Sequence, residues 1–386
     1  MLHPAGMKPL RVALVQPALA EYRLSLFREI AERESIDLHV YYGEEPDLPN
    51  VRPAGFAATF APQRALLEGR LFWHPVQLSL ATSKQHDVVV LSWNTRYLSL
   101  TPAIAKARSM SLGCVLWGHG YSLREGPKRR FLRRQVGRLA HANLFYDRGT
   151  ARDYLAAGYE SSRVFVAPNT IDQRPAAAAL RYYLDRPEEL TAFRDRYDLQ
   201  GKQLLLFVSR HPLKRRVDVV FEAMQQLRNP QLVLAVVGGE PNREALSQIT
   251  SSLGVSEQVL LLDPIYDERA LAPWFITARA MCFPERIGLS AHHAFAYGLP
   301  VVVGDSVESH NPEIEAVEHQ KNGLLFRHND PAALAATLRN LVADQALQTK
   351  LATGASATAR CYTVAAAADG FEAAVRYAAG RARPAT

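Results

Sequence analysis

The sequence predicts an α/β protein with two doubly wound, Rossmann-like domains that face each other across a cleft. Three observations favour this fold class. Short apolar runs rich in β-branched residues alternate with segments of helical period. The alternation stops near residue 170 and begins again near residue 203. The runs are apolar throughout, which is typical of parallel strands covered on both faces. We therefore expect chemistry on the loops that follow the strands, where such sheets bind their ligands.

The predicted elements follow this alternation in chain order. In the first half we expect helices at 21–34, 98–110, 127–140 and 149–157, and strands at 11–16, 36–42, 87–92, 113–118, 142–147 and 163–168. In the second half, with helices between them, we expect strands at 203–209, 231–239, 258–263, 278–285 and 299–305. These elements divide the chain into a first domain at 1–170, a linker region at 171–200 and a second domain at 201–360.

Composition narrows the class of protein. The 386 residues are 48% hydrophobic and 22% charged, the profile of a soluble globular protein. No apolar run approaches the roughly 18 residues of a membrane span, and the N-terminus lacks the pattern of a signal peptide. Cys114, Cys282 and Cys361 lie too far apart in sequence for a disulfide framework or a zinc site. We expect a cytoplasmic protein with reduced thiols.

The net charge of +7 indicates anionic partners, unless it only mirrors an arginine-rich genome. Familiar cofactor motifs are absent. "VQPALAEYR" follows the first strand in place of G-x-G-x-x-G, and the chain has no P-loop, no G-x-S-x-G and no D-x-D. We therefore expect no bound cofactor and no metal.

The first candidate site is the loop in "FVSRHPLKRRVDVVFEAM", between strand 203–209 and a helix. Cations at a strand end, next to free amides at a helix start, make an anion site. A solvated basic loop is the alternative interpretation. The loop carries Arg210, His211, Lys214, Arg215 and Arg216.

The second candidate is "FPERIGLSAHHAFAYGLPVVVGD", residues 283–305. Strand 278–285 ends at Glu285, Gly288 permits close approach of a ligand to the backbone, and Ser290 is a suitable N-cap for a helix at 291–297. Gly298 then suits the C′ position. The pattern predicts a helix N-terminus aimed at an anion, beside a carboxylate.

Two adjacent histidines, His292 and His293, lie in the first turn of that helix. Neighbours on a helix point about 100° apart and no third ligand is evident, so we do not expect a metal site. Plain packing remains the alternative for one of the two rings.

The third candidate is His119, which lies between two glycines directly after the strand ending at 117. We expect it at a ligand cleft rather than in a core. The helix that follows carries a basic strip, 128–138, whose cations are Lys128, Arg129, Arg130, Arg133, Arg134 and Arg138.

The periodicity of that helix places Leu132, Val136 and Leu139 toward the sheet, which leaves the basic strip exposed together with Phe131. A solvated face is the usual fate of such a strip. Docking to anionic lipid or to a phosphorylated acceptor is the alternative.

Together these motifs resemble the GT-B glycosyltransferases, most closely the large retaining family 4, over residues 9–360. "SRHPLKRR" is similar to the family's "GR-x(4)-K" loop, which grips the donor diphosphate. The resemblance places Arg210 at the arginine of that loop and Arg215 at the lysine, with Lys214 one residue away.

"ERIGLSAHHAFAYGLPVVV" resembles the family's E-x(7)-E signature. The resemblance implies that Glu285 lies near the donor sugar and that the corner Gly288-Leu289-Ser290 meets the phosphates. The second glutamate, which holds the nucleotide ribose in the family, is replaced here by His293, to which we give the ribose role.

Three further stretches carry the resemblance: "VLWGHG", "VAPNTID" and "NPEIEAVEHQKNGLLF". The first makes His119 similar to the family's active-site histidine. The resemblance also implies an acceptor-side first domain, a second domain that binds the nucleotide sugar, and a terminal helix at 361–386 that crosses back to the first domain.

The resemblance implies a metal-independent, retaining, hexosyl-type transfer from a UDP- or GDP-sugar to a glycan or lipid-linked acceptor in the synthesis of cell-surface polysaccharide or glycoconjugate. Catalysis is assigned to His119, Arg210 and Glu285, and the expected location is cytoplasmic, peripheral to an anionic membrane surface through 128–138. A sugar-nucleotide epimerase or a phosphorylase of the same fold, or a catalytically weak binding homologue, are the alternatives. A nucleic-acid partner is not expected, because the basic strip lacks interleaved aromatic residues.

Overall fold

The computed structural model describes residues 8–46, 48–81, 85–122, 126–238 and 242–382, which form two compact units. The first unit comprises the chain up to Asp172 and returns at Thr363, and the second runs from Gln173 to Tyr362. Each unit is built on its own parallel sheet. The predicted α/β fold of two Rossmann-like domains is confirmed.

The first unit contains a seven-stranded parallel sheet in the order β3-β2-β1-β6-β7-β8-β9, and a separate antiparallel pair of β4 and β5. Its strands are β1 (Leu10–Gln16), β2 (Ile36–Tyr42), β3 (Ala57–Phe60), β4 (Arg64–Leu66), β5 (Leu71–Trp73), β6 (Val88–Ser92), β7 (Gly113–Gly118), β8 (Ala142–Phe145) and β9 (Val164–Val166). Its helices are α1 (Leu24–Ala31), α2 (Pro75–Leu80), α3 (Leu100–Ser109), α4 (Pro127–Leu139), α5 (Arg148–Ala156) and, at the end of the chain, α14 (Val364–Ala382).

The second unit contains a six-stranded parallel sheet in the order β12-β11-β10-β13-β14-β15. Its strands are β10 (Gln203–Val208), β11 (Leu232–Val237), β12 (Val259–Leu262), β13 (Ala278–Phe283), β14 (Val301–Gly304) and β15 (Gly323–Phe326). Its helices are α6 (Arg174–Leu184), α7 (Pro187–Arg196), α8 (Val217–Leu227), α9 (Arg243–Ser252), α10 (Glu268–Thr277), α11 (Ser290–Ala296), α12 (Pro331–Ala343) and α13 (Gln345–Ala359).

Both sheets reverse their strand order at one point, between β1 and β6 in the first unit and between β10 and β13 in the second. Loops that leave neighbouring strands in opposite directions open a crevice at the carboxyl edge there. The central strands are buried along their whole length, as in β7 and β11, which explains their apolar sequences.

The structure departs from the predicted elements where apolar periodicity is weak. Strands β3 and β4 are short and mostly exposed, so no apolar run indicates them. The segment predicted as one helix at 21–34 begins with a 3₁₀ turn, Glu21–Arg23, before α1. Of the predicted strand 231–239, β11 covers Leu232–Val237, while Gly239 lies outside the described residues.

The region assigned as a linker, 171–200, is largely helical in α6 and α7, and from Gln173 onward it belongs to the second unit. Of these two helices, α6 contributes Ala176, Ala179 and Tyr183 to the core of that unit. The mixed composition of the stretch hides this role, because alanines give little apolar contrast along the sequence.

Helix α4 presents a different face to the interior from the one predicted. Leu132 is 63% exposed and Leu139 is 43% exposed, whereas Arg133 and Gly137 are buried. The expectation that Leu132, Val136 and Leu139 face the sheet is therefore wrong for both leucines, and Val136 is only partly buried.

Gly137 explains this orientation of α4. A Cβ atom at this position would lie 2.5 Å from the hydroxyl oxygen of Tyr159 and 2.6 Å from Cζ2 of Trp93. Only glycine allows the helix to come this close, so close contact with aromatic rings, rather than leucine burial, sets its rotation.

Candidate active site

The loop after β10 carries the cations that the sequence singles out. It leaves the sheet at Ser209, next to the end of β11, where Gly238 has φ +98°. A Cβ atom on Gly238 would lie 2.4 Å from the carbonyl oxygen of Ser209. The glycine therefore lets the two strand ends approach closely, and the basic loop begins at that point.

The cations of this loop differ in their surroundings. Arg216 adopts the left-handed conformation and is held by Asp218 and by Asn329, whose Oδ1 lies 2.7 Å from the Arg216 Nη1. Arg210 and Lys214 are exposed, and neither has a carboxylate partner among the described residues. These two side chains are available to an anion.

Arg215 is folded against the second candidate segment. Its Nη1 donates a hydrogen bond to the carbonyl of Arg286, and its guanidinium carbon lies 5.9 Å from the centre of the Phe283 ring. Burial, and then the charge of Arg286, lower the pKa of Arg215 from its usual value. The carbonyl of Arg215 in turn accepts a hydrogen bond from the Glu285 amide at 3.4 Å. Two hydrogen bonds thus join the basic loop to the carboxylate corner.

The corner after β13 is held by its backbone. Arg286 has φ +54°, a conformation that non-glycine residues rarely adopt. Its amide donates to the carbonyl of Ser309 at 3.0 Å, and the amide of Ile287 donates to Nδ1 of His310 at 3.1 Å. These bonds keep the Glu285 carboxylate, 19% exposed, at the sheet edge.

His310 is the buried support of that corner. The side chain is 4% exposed, and its Nε2 lies 2.9 Å from the Gly304 carbonyl at the end of β14. Because Nδ1 accepts from Ile287, Nε2 is the donor in this pair and the imidazole is neutral. Burial lowers the pKa of His310, and the bond to Gly304 offsets only part of that shift.

The corner then presents three backbone amides, those of Gly288, Leu289 and Ser290, for which the described residues supply no acceptor. The helix that follows begins at Ser290, and Leu289 is its N-cap residue without a side-chain hydrogen bond. The prediction that Ser290 caps a helix starting at 291 is therefore wrong by one position. Gly298 has φ +69° after the last turn, so the predicted C-terminal role is confirmed.

His328 contacts the candidate carboxylate, and the sequence analysis missed it. Its Nε2 lies 3.2 Å from Oε1 of Glu285, and its own amide donates to Oδ1 of Asp305 at 2.9 Å. It stands just after β15, a strand that periodicity did not reveal. The only signal in the sequence is its place, two residues after the apolar "GLLF".

Gly304 is what allows His328 to reach the site. A Cβ atom at Gly304 would lie 2.6 Å from the Pro284 carbonyl and 3.1 Å from Nδ1 of His328. A larger residue at the end of β14 would push the ring away from Glu285. The loop after β15 and the loop after β13 therefore contribute side chains, His328 and Glu285, to the same part of the sheet edge.

The two adjacent histidines are separated as their helical spacing requires. His292 is buried, and its ring stacks on Tyr362 at 4.7 Å between centroids. His293 is 20% exposed, and its Nε2 lies 2.7 Å from Oε1 of Glu268 at the start of α10. Packing is thus the role of His292, and His293 has a carboxylate partner from a neighbouring helix.

Glu268 also accepts a hydrogen bond from the hydroxyl of Tyr297 on the same oxygen. Burial acts to raise the pKa of Glu268, but the hydrogen bond from His293, the charge of that ring when it is protonated, and the hydrogen bond from Tyr297 outweigh it and lower the pKa. An ionised carboxylate only accepts, so His293 Nε2 carries a proton. In the neutral ring, Nδ1 is then the acceptor that remains.

His119, in the first unit, follows β7 and lines a cavity of about 380 Å³. Its ring centre lies 4.7 Å from that of Tyr146 and 5.8 Å from that of Tyr121. Burial, and then the charge of Arg23, lower the pKa of His119 to about 4. Although neighbouring groups crowd its ring, His119 has an exposed surface, on the side where it lines the cavity. A neutral imidazole at a cavity wall can accept one hydrogen bond and donate another.

Within the described ranges no group of three or more His, Cys, Asp or Glu side chains is arranged to hold a metal ion. In the same ranges every helix is either too short or too polar for a membrane span.

The second unit therefore brings together the basic loop, the carboxylate corner and His328 at the carboxyl edge of one sheet, with His293 on the helix that follows. Such an edge is suited to a ligand that combines phosphate with a polar group. The two Rossmann-like units thus carry different candidate sites, a phosphate-type edge in the second unit and a cavity lined by a histidine in the first.

Residues 191–358 match the family model for glycosyl transferases group 1. A D-inositol 3-phosphate glycosyltransferase from Xylanimonas cellulosilytica is 33% identical over 178 residues, which are 44% of this chain and 41% of the relative. A GDP-mannose-dependent alpha-(1-6)-phosphatidylinositol monomannoside mannosyltransferase from Mycolicibacterium smegmatis is 27% identical over 256 residues, 64% of each chain. The matches thus span less than two thirds of both relatives.

The crystal structure of Anabaena HepE in complex with UDP superposes with a TM-score of 0.71, covering 94% of this chain and 98% of that one at 16% identity. At that identity the likeness concerns the fold alone. The chain has the fold of the GT-B glycosyltransferases, and its second unit contains the segment that matches the group 1 family model.

Proposed function

We propose that this protein is a metal-independent, retaining glycosyltransferase of family 4 type that moves a hexosyl group from a UDP- or GDP-sugar to a glycan or lipid-linked acceptor. The observation that carries the proposal is the direct bonding of the basic loop to the carboxylate corner through Arg215. Arg215 lies on the same loop as two exposed cations, Arg210 and Lys214. Its hydrogen bonds to the corner therefore hold that loop next to Glu285.

In this proposal the cations act on the leaving group. Departure of a nucleoside diphosphate develops negative charge, and Arg210 and Lys214 neutralise it together with the corner amides from Gly288 to Ser290. Hydrogen bonds to charged groups contribute about 1.5–3 kcal/mol each. Two or three of them supply a large share of the ~8 kcal/mol by which even modest enzymes lower their barrier.

Glu285 and His293 hold the two ends of the donor. The Glu285 carboxylate, kept in place by His328, accepts hydrogen bonds from the hydroxyls of the sugar. His293 accepts one hydrogen bond from the ribose through Nδ1. The leaving phosphate takes the acceptor proton, so the reaction requires no separate base, and the neutral ring of His119 orients the acceptor.

The acceptor is proposed to be part of a cell-surface polysaccharide or glycoconjugate, reached at the cytoplasmic face of an anionic membrane. Helix α4 supports this location, because a run of exposed residues near its start combines three cations with two apolar side chains. They are Lys128, Arg129, Arg130, Phe131 and Leu132, which we call the α4 patch. A basic patch with apolar side chains is suited to the interface of an anionic bilayer. Both relatives described above have inositol-containing names, and one of these denotes a phosphatidylinositol lipid.

The test is a panel of UDP- and GDP-sugars, with thermal shift and release of free nucleotide as readouts. The expected result is stabilisation by one nucleotide class, and release of UDP or GDP that depends on an added glycan or lipid-linked acceptor. Conversion of the donor to its epimer without acceptor would favour the epimerase alternative. Stabilisation without turnover of any donor would favour a binding homologue.

A further inference from the structure

The cavity of the first unit contains a buried cation that has no anionic partner among the described residues. Arg23 lines the cavity and is 7% exposed. Among the described residues no carboxylate forms an ion pair with it. Its guanidinium carbon lies 4.7 Å from the centre of the Tyr146 ring, 4.9 Å from that of Trp117 and 5.2 Å from that of Tyr22.

Aromatic faces compensate a buried guanidinium only in part. A buried charge normally has a counter-ion, because desolvation of an ion costs more than attraction to ring faces returns. The five N–H donors of arginine also form a planar fork that fits a phosphate or carboxylate with two parallel bonds. The described residues around Arg23 therefore supply ring faces and the hydroxyls of Tyr22 and Tyr146 but no carboxylate, which is the environment of an anion site that these residues do not fill.

Other residues of the cavity wall reinforce this charge. Arg129 and Arg133 reach it from α4, and Arg96 reaches it from the loop after β6. Arg96 already donates to the carbonyls of Arg70 and Gly69. Among the described residues, the cavity lining contains one carboxylate, Glu45, and four guanidinium groups, those of Arg23, Arg96, Arg129 and Arg133. The wall is thus cationic as well as aromatic.

We infer that this cavity binds a phosphate-type anion, with Arg23 as its buried anchor and Arg129 as a cation at its exposed wall. His119 lines the same cavity, so the anion lies in the space that faces the histidine. This inference rests on the proposed function in one respect, namely that the phosphate belongs to the acceptor. Anion binding by the first unit does not depend on that assignment.

Two residues of α4 provide a matched pair of variants. Arg129 and Arg130 are neighbours, both exposed, but only Arg129 lines the cavity. Arg129→Gln and Arg130→Gln remove the same charge from the same helix, so a general electrostatic effect would be equal in both. Arg23→Gln is the third variant, to be used with a check of its melting temperature because the side chain is buried.

The experiment measures binding of inorganic phosphate and of glucose 6-phosphate to the full chain by calorimetry, with UDP present to occupy the donor site. The expected result is saturable binding that Arg129→Gln weakens about tenfold, as loss of one charge-assisted hydrogen bond does, while Arg130→Gln leaves it unchanged. Arg23→Gln, if it melts like the wild type, should weaken binding at least as much. Equal binding by both α4 variants and the wild type, or no binding with UDP present, would overturn the inference.

A vesicle arm identifies the source of the phosphate. Vesicles of phosphatidylinositol in phosphatidylcholine are compared with vesicles in which phosphatidylserine supplies the same surface charge. A stronger effect of Arg129→Gln than of Arg130→Gln on phosphatidylinositol vesicles alone supports a lipid headgroup, whereas the same difference with glucose 6-phosphate alone supports a soluble phosphomonoester. If phosphate binds but no donor is turned over, the proposed function fails and the anion site stands. If donor is turned over but phosphate binding is absent, the anion site fails and the proposed function stands.

Discussion

The imidazole of His293 lies against Glu268, with 2.7 Å between Nε2 and Oε1. This protein has a histidine at the position of the second glutamate in the E-x(7)-E signature that its sequence resembles. The carboxylate of Glu268, at the start of α10, contacts that histidine. A neutral imidazole has one hydrogen-bond acceptor and one donor. The structure uses the donor for Glu268, which leaves Nδ1 as the one group of the neutral ring for the ribose of the proposed donor.

His293→Glu should destabilise the second unit, because it brings a second carboxylate close to Glu268. At an effective dielectric constant of about 20 two such charges repel by roughly 4 kcal/mol, and relaxation reduces this to on the order of 2 kcal/mol. The exchanged pair Glu268→His with His293→Glu should recover most of the loss. Melting temperatures at pH 8 and pH 5 check this, since protonation of one carboxylate shrinks the penalty at pH 5. A single variant as stable as the wild type at pH 8 would show that the two positions are not coupled.

Arg210→Ala should reduce kcat on the order of 10²-fold, as loss of one donor to developing charge commonly does. Its melting temperature should not change, because the side chain is exposed and has no carboxylate partner among the described residues. Arg339→Ala, at an exposed position of α12, is the control for loss of one surface charge. Near wild-type turnover by Arg210→Ala would remove this residue from the site.

His310→Leu should lower the free energy of unfolding by about 2 kcal/mol or more, because the buried Ile287 amide and Gly304 carbonyl each lose a partner. His310→Gln, which keeps one hydrogen-bond acceptor and one donor, should recover part of the lost free energy of unfolding. The lowered pKa of His310 means that the unfolded chain binds its proton first as the pH falls below 6.5. Stability contributed by the neutral ring is therefore present above pH 6.5 and is lost as the pH falls from 6.5 toward the folded pKa. Denaturation curves across that range should be less pH-dependent in His310→Gln than in the wild type, and an unaltered slope would contradict this account.

Gly137→Ala should destabilise the first unit by about 1–3 kcal/mol, since the new methyl group meets Tyr159 and Trp93. The matched control is Gly380→Ala in α14, where a Cβ atom has no neighbour within 4 Å. That change should stabilise the helix by about 0.5–1 kcal/mol, the ordinary advantage of alanine over glycine. Urea denaturation of both variants measures the difference. Stabilisation by both changes would mean that α4 can move away from the aromatic rings at no cost.

The α4 patch should bind anionic vesicles at low salt. Each basic residue near such a surface contributes about 1 kcal/mol, so three give roughly a hundredfold preference over neutral vesicles. Phe131→Ser with Leu132→Ser should weaken binding to anionic vesicles without loss of stability, whereas Leu98→Ser, at another exposed leucine of the first unit, should not. Vesicle sedimentation with increasing salt separates the electrostatic contribution of the basic residues from the apolar contribution of Phe131 and Leu132, because salt screens the charges first. Equal binding to neutral and anionic vesicles would mean that the patch is only a solvated face.

Apolar patterning is enough to predict the alternation of strands and helices, because a parallel strand covered on both faces must be apolar along its length. It also placed Arg210 and Glu285 on loops after strands, since any residue that follows such a strand lies at the carboxyl edge of the sheet. Local backbone requirements were equally visible, as at Gly298, where a helix end calls for positive φ.

Which of these residues contact one another follows from the packing of the elements and not from their sequences. His328 reaches Glu285 and Glu268 reaches His293 across 43 and 25 positions of sequence, and no periodicity encodes such pairs. The rotation of α4 was likewise beyond the sequence, because the space left by Gly137 against two aromatic rings outweighed the burial of two leucines. Side-chain patterns report the average environment of an element, whereas the fit between neighbouring elements sets which side chains meet at the site.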